Sequence, residues 1–340
     1  MVMHFPSKIQ TVICLTPVKN EAWCLDRFLK AASLWADIII IADQMSTDGS
    51  REIANSFPKV KLIDNESHTF NELGRKRLLI NEARKVLGLK LLITLDADEM
   101  FSPEIFSSGE WDYIKKLPPG TAIDFQWSNL SQDGKTMWKG YYFPWGYIDD
   151  DVQDYDVGIS EGAIHCSRVP IKSKTPHYKV KSFSVIHFQY TNWLRMQHKH
   201  YYYQCLEVIN NPNKSAIDIY RQYHHMFAIK ESQLVPVPIE WISWYKERDI
   251  LIDDVVKEEL YWFDQEILKF FKEYGVKKFR KVDIWEFDWS QIAQKSDLKI
   301  KDPRRFIDKI ILKWLKYTQN MSSTLFIRRI ERFFKYTFNF

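Results

Sequence analysis

The chain has 340 residues, 45% hydrophobic, 15% aromatic and 27% charged, with a formal net charge of +4. That length predicts about two domains, and the composition is that of a soluble globular protein, not a disordered or fibrous one. Residues 301–340 hold ten Lys/Arg against three Asp/Glu, so the other 300 carry a net −3, which argues against a nucleic-acid partner.

No apolar run reaches the roughly 18 residues that span a bilayer, and Met1–Gln10 lacks the apolar stretch of a secretory signal. Cys14, Cys24, Cys166 and Cys205 show no CxxC spacing and read as reduced, packed thiols of a cytoplasmic protein, not a zinc site.

Thr11 to Leu15 is apolar and β-rich and runs into Thr16-Pro17-Val18-Lys19-Asn20-Glu21. Trp23, Leu25, Phe28, Leu29 and Ala32 then recur at helical spacing. Asp37 to Asp43 contains four consecutive isoleucines, the pattern of a strand buried on both faces. A loop of turn formers follows, in which Ser46 or Thr47 is expected to cap the next helix. Val60 to Asp64 reads as a third, weaker strand. Asn71 to Leu87 reads as a helix with Leu73, Leu79, Ile80, Ala83, Val86 and Leu87 inward, stopped by Gly88. The strand Leu91 to Leu95 ends on Asp96-Ala97-Asp98-Glu99. Such alternation predicts a parallel sheet with crossover helices.

Residues two apart in a strand project to one side, so Asp96 and Asp98 are expected to point together from the strand's carboxyl end. Open α/β sheets bind ligands there. Adjacent carboxylates repel unless a cation compensates them, and a divalent ion shared with a phosphate fits the pattern. A solvated acidic turn is the plainer reading of such a pair. No GxGxxG and no GxxxxGK[ST] occurs, which disfavours a dinucleotide-binding domain and a P-loop ATPase. Asn20/Glu21, Asp43 and Asp96/Asp98 nonetheless fall at the ends of different strands, on one rim.

Four elements now stand in order: Pro17-Val18-Lys19-Asn20-Glu21; Asp43, Ser46, Asp48 and Gly49; Asn81; and Leu95-Asp96-Ala97-Asp98-Glu99. In this order they resemble the family 2 glycosyltransferases of the GT-A fold, of the bacterial surface-glycan type, firmly over residues 10–105 and loosely over 106–205. The resemblance implies an α/β GT-A (nucleotide-diphospho-sugar transferase) fold with a mostly parallel central sheet and a helical C-terminal extension. It divides the chain into a transferase domain, 1–205, with a nucleotide-binding half, 1–105, and an acceptor half, 106–205, followed by a helical region, 206–340. It implies that Pro17, Asn20 and Glu21 line the nucleotide pocket and that Asp43 hydrogen-bonds the base. Asp96 would lie near the ribose or sugar, and Asp98 would ligate Mg²⁺ or Mn²⁺ on the diphosphate. The donor would be a nucleotide-sugar, and the acceptor a hydroxyl of a glycan or lipid-linked molecule, attacked with inversion. Asn20 also fits an N-cap and Asp48 a turn.

Thr121 to Leu130 and Thr136 to Phe143 read as strands joined by a turn at Gln132-Asp133-Gly134. Trp127, Trp138, Tyr141, Tyr142, Trp145 and Tyr147 either stack against sugars or pack the core. An inverting transferase needs a carboxylate to take the acceptor's proton. Related enzymes carry it in this interval, near a Gly-x-x-His-Glu-like stretch, from which this chain departs with Cys166 after His165. Glu161 is the first candidate base and Asp151 the second. Arg168 either pairs with the diphosphate or lies at the surface.

Val180 to Gln189 alternates like a late strand, and His187 falls where such enzymes often supply a further metal ligand. It is otherwise a structural histidine. Tyr190 to Glu207 reads as a helix in which Lys199 either meets the diphosphate or faces solvent. Val235-Pro236-Val237-Pro238 breaks the chain, and helices follow. Phe306 to Tyr317 and Leu325 to Phe338 set apolar and basic residues at helical spacing. They read either as membrane-surface helices, placing the protein peripherally at the inner face of the plasma membrane, or as helices docked on the core. Two other classes compete: a sugar-nucleotide pyrophosphorylase-like nucleotidyltransferase, and a non-catalytic glycan- or membrane-binding protein.

Overall fold

The structure, a computed structural model, describes residues 9, 11–155, 164–252, 261–293 and 299–340. It divides into two compact units, Met1–Asn192 with Val235–Lys257, and Trp193–Leu234 with Glu258–Phe340. The first unit alternates as expected: β1 (Thr11–Val18), α1 (Ala22–Ala32), β2 (Ile38–Asp43), α2 (Ser50–Asn55), β3 (Val60–Asp64), α3 (Glu72–Ala83) and β4 (Lys90–Thr94). It continues through β5 (Glu99–Phe101), α4 (Glu110–Ile114), β6 (Ala122–Leu130), β7 (Thr136–Ile148), β8 (His177–Lys179) and β9 (Val185–His187). The second unit opens with α5 (Trp193–Asn210) and α6 (Ala216–Tyr223). After β10 (Val235–Pro236) and α7 (Ile239–Lys246), which belong to the first unit, it resumes with α8 (Trp262–Tyr274), α9 (Trp289–Ala293), α10 (Phe306–Tyr317) and α11 (Leu325–Phe338).

One mixed sheet runs in the order β3-β2-β1-β4-β7-β6-β9-β5, with β8 beside β6 and β10 beside β7. β3, β2, β1 and β4 are mutually parallel. Both faces of this half are covered. Val12 and Cys14 of β1 join Leu25, Phe28 and Leu29 in one cluster, while Ile13 and Leu15 join Leu79, Ile80 and Ala83 in another. The isoleucine run of β2 divides likewise, Ile39 and Ile41 to the first cluster and Ile40 to the second. A strand buried on both faces needs no polar alternation.

Three boundaries differ from expectation. Helix α3 starts after Asn71, whose side chain accepts from Gly74 N at 2.7 Å, and stops at Ala83, so Leu87 is exposed, not inward. β7 runs beyond Phe143 because Gly146 to Ile148 pair with β4, and Gly146 and Tyr147 with β6 as well. The alternating stretch 180–189 is only partly a strand, since the Glu110 carboxylate takes the Lys181 and Ser182 backbone N–H groups and interrupts the ladder. A carboxylate that satisfies those donors removes the need for a neighbouring strand.

In the second unit, α6, α10 and α11 share an apolar cluster that includes Ile217, Tyr220, Ile311, Leu315 and, partly buried, Phe334. Among the described residues, no helix is long and apolar enough to cross a membrane.

Gly146 shows how tightly the sheet is filled where β4, β7 and β6 meet. A Cβ there would lie 2.9 Å from Ile123 Cβ and 3.1 Å from Ile93 Cδ1. Ile123 Cβ cannot swing aside without its backbone. Gly146→Ala is therefore expected to destabilise the protein by about 1–3 kcal/mol, read from the midpoint of urea denaturation.

Candidate active site

Parallel register brings the ends of β1, β2 and β4 together: Val18 pairs with Asp43, and Leu15 with Thr94. The loops after β1 and β2 are laced by side chains. Asn20, at φ +53°, donates its backbone N–H to Ser46 Oγ (2.8 Å), and its Oδ1 accepts from Thr47 N (2.7 Å). Glu21 N donates to Ser50 Oγ (2.9 Å), and Ala22 N to Asp48 Oδ2 (2.9 Å). The Glu21 carboxylate accepts from Trp23 Nε1 at 2.7 Å. Asn20 is thus not the cap of α1, a position that Glu21 occupies. Nor do Ser46 or Thr47 cap α2, which begins after Gly49 at φ +96°. Loops held by their own side chains keep a rim rigid before any ligand arrives.

Asp43 is buried at the end of β2. Its Oδ2 accepts from Arg51 Nη1 (2.7 Å) and Ser46 N (3.1 Å), and no hydrogen bond reaches its buried Oδ1 among the described residues. Pro17, also buried, lies beside Ala42 in the register.

After β4, Asp96 and Asp98 take different surroundings. Asp96 Oδ2 accepts from Arg168 Nη2 at 2.6 Å. Arg168 also pairs with the buried Glu99, through Nη2 at 3.0 Å and through a second contact from Nη1. The other partners of Glu99 are Trp127 Nε1 (2.7 Å) and the backbone N–H of Asp96 (2.9 Å). Burial alone would lower the Arg168 pKa, but the Asp96 and Glu99 carboxylates outweigh it and hold the guanidinium firmly charged. Trp145 and Trp127 flank that guanidinium, with ring centroids 4.8 and 5.9 Å away.

Asp98, also buried, faces His187. β5 and β9 pair antiparallel with Glu99 opposite His187, and Phe188 N donates to Asp98 O at 2.9 Å. His187 Nε2 comes to lie 3.8 Å from Asp98 Oδ2. In the parallel pairing of β6 with β9, Asn129 lies opposite His187, and its Oδ1 is 2.9 Å from His187 Nδ1. An amide oxygen only accepts, so Nδ1 carries a proton, and a neutral ring would turn its Nε2 lone pair towards Asp98. Trp127 stacks on the imidazole at 4.8 Å and 10°.

An imidazole nitrogen and a carboxylate oxygen at this separation suit a divalent cation, and an oxygen acceptor on the far ring nitrogen is the usual support for a ligating histidine. Among the described residues no three His, Cys, Asp or Glu side chains form such a site. Asp98 and His187 would leave the rest of an ion's shell to water and phosphate oxygens, and an imidazole donor is acceptable to Mn²⁺ and less usual for Mg²⁺.

Three candidates remain. Asp151 pairs with Lys90 at 2.8 Å, at the amino end of β4. It is thereby at the opposite end of that strand from Asp98, because β7 runs antiparallel to β4 and delivers residues 149–151 there. Glu161 lies outside the described residues. Lys199 is half-buried on α5, in the second unit. Its neighbours His198 and His200 turn into that helical unit, bonded to Asp264 (2.8 Å) and to Tyr223 O (2.9 Å). Glu99 and Asn129 had no role in the sequence reading. No local signal marks them: β5 is only Glu99–Phe101, and Asn129 falls out of step with the polar positions Asp124, Gln126 and Ser128 of β6.

Residues 13–197 match the family model described as "Glycosyl transferase family 2". No curated protein matches the chain. Among solved structures, it is similar to a 4-diphosphocytidyl-2C-methyl-D-erythritol synthase, at 16% identity and a TM-score of 0.21. That likeness covers 26% of this chain and 46% of the other, less than half of that protein's length, and is too remote to bear on function.

Arg168→Met would leave the buried Glu99 carboxylate without its guanidinium. The expected loss of stability is about 3–5 kcal/mol by urea denaturation, and Glu99→Gln in the same chain should restore part of it.

Proposed function

The chain belongs to glycosyl transferase family 2, and on that premise we propose that it transfers a sugar from a nucleotide-sugar to a hydroxyl of a glycan or lipid-linked acceptor, with inversion. The observation that carries this reading is the facing pair of Asp98, just past the end of β4, and His187 of β9, with Asp43 and the laced loops at the ends of the strands parallel to β4. Asp98 and His187 would hold a divalent ion, Mn²⁺ or Mg²⁺, whose chemistry is to offset charge developing on the departing diphosphate. The buried Asp43 Oδ1 is an acceptor suited to an imide or amino N–H of the base.

In the transfer, the acceptor oxygen forms a bond to the anomeric carbon on one face. The bond from that carbon to the phosphate oxygen breaks on the other face, and its electron pair leaves with the nucleoside diphosphate. The acceptor proton passes to a carboxylate, for which Glu161 is the candidate. The Asp151–Lys90 pair supports a structural part for Asp151 instead. Arg168 orients Asp96, so that its carboxylate can accept from a sugar or ribose hydroxyl.

Asp98→Asn preserves the side-chain shape and removes the charge. Turnover of the nucleotide-sugar is expected to fall by about a hundredfold or more. The rise in melting temperature that a nucleoside diphosphate gives in the presence of Mn²⁺ should vanish, while the ligand-free melting temperature holds. Full activity in this variant, or pyrophosphate release from a nucleoside triphosphate and a sugar phosphate, would overturn the reading.

A further inference from the structure

The outward faces of α10 and α11 are left unexplained by packing. Each helix buries one stripe, that of α10 through Ile311, Leu312 and Leu315 and that of α11 through Ile327, Phe334 and Phe338. On the opposite side of α10, Phe306, Ile310, Lys313 and Tyr317 recur at spacings of four, three and four. On α11, Leu325, Arg329, Arg332 and Tyr336 repeat that spacing. Residues so spaced share one face of a helix. The apolar members stand in solvent: Phe306 is 82% exposed, Tyr317 79%, Leu325 75% and Tyr336 84%. Phe326 and Phe333 widen the exposed apolar surface of α11.

Charge is sorted in the same sense. Each Asp and Glu side chain after residue 300 is held in an ion pair. Asp302 meets Arg304 (2.9 Å), the fully buried Asp308 meets Arg305 (3.0 Å) and Arg280 (3.4 Å), and Glu331 accepts from Arg221 Nε (2.9 Å). Lys313, Lys316, Arg328, Arg329 and Arg332 are exposed, and among the described residues none of them forms an ion pair. The helices thus turn cations and apolar rings outward and keep their acids inward. Solvation explains the cations and not the rings, whereas an anionic, apolar-cored surface accommodates both.

We infer that the outward faces of α10 and α11 bind an anionic lipid bilayer surface, with Phe306, Tyr317, Leu325 and Tyr336 entering the headgroup region and the Lys and Arg residues meeting lipid phosphates. This inference stands apart from the transfer reaction, since it needs no nucleotide-sugar. The test is co-sedimentation of the full chain with phosphatidylglycerol-rich vesicles and with pure phosphatidylcholine vesicles. Binding to the first and little to the second is expected. Arg329→Gln with Arg332→Gln should weaken the partition coefficient about fivefold per charge. Leu325→Ser with Tyr336→Ser should weaken it at unchanged melting temperature, because both side chains point away from the packed stripe. Equal sedimentation with neutral vesicles, or wild-type binding by both variants, would overturn the inference. So would a dimer in light scattering that the serine variant dissociates while vesicles are ignored, because the face would then belong to a second copy of the chain.

Discussion

A buried carboxylate governs the rim of the first unit. Glu99 follows directly on the acidic pair, at the start of β5, with its side chain shut off from solvent. An ionised carboxylate in that position is costly unless charge and hydrogen bonds meet it from several directions. Three elements do so: Arg168 from the segment before β8, Trp127 from β6, and the backbone amide of Asp96 itself. The same contacts fix where Asp96 and Trp127 stand. Trp127 in turn lies flat on His187, so one buried charge organises the groups on both sides of Asp98.

The chemistry available at Asp98 follows from strand register, not from any feature of its own. β9 lies between β6 and β5, parallel to one and antiparallel to the other. Through the first pairing His187 meets an amide oxygen, which selects its tautomer. Through the second it meets Asp98. When neutral, a histidine supported in this way offers its second nitrogen as an electron-pair donor, the form in which imidazole binds metal. The laced loops on the other side serve a comparable end. Asn20, Ser46, Asp48 and Ser50 spend their side chains on backbone amides across the loops, and this leaves Asp43 with one oxygen committed and the other not.

Much of this architecture was legible in the chain. The isoleucine run, the helical stripe beginning at Trp23 and the acidic stop after Leu95 each report local burial, and burial on two faces leaves a composition that needs no partner to be recognised. Asp43, Asn20 and Asp98 were legible as rim residues for the same reason, since each ends an apolar run. Less was legible where a contact joins distant segments. The interruption at Ser182 depends on the Glu110 carboxylate, and the extra length of β7 depends on β4 arriving beside it. Asp151 read as the second candidate base, whereas β7 carries it to the amino end of β4.

The sequence by itself determined the α/β alternation, the motif order that places the chain in its family, and two tail helices that are apolar and basic along their length. These are properties of neighbouring residues, and helical or extended geometry translates them directly into faces. Tertiary structure alone decided that His187 reaches Asp98, that Asn129 orients it, that Arg168 and not solvent neutralises Asp96 and Glu99, and which stripe of each tail helix turns inward. Such pairings join groups far apart in the chain. They depend on strand register and helix packing, which local periodicity does not encode.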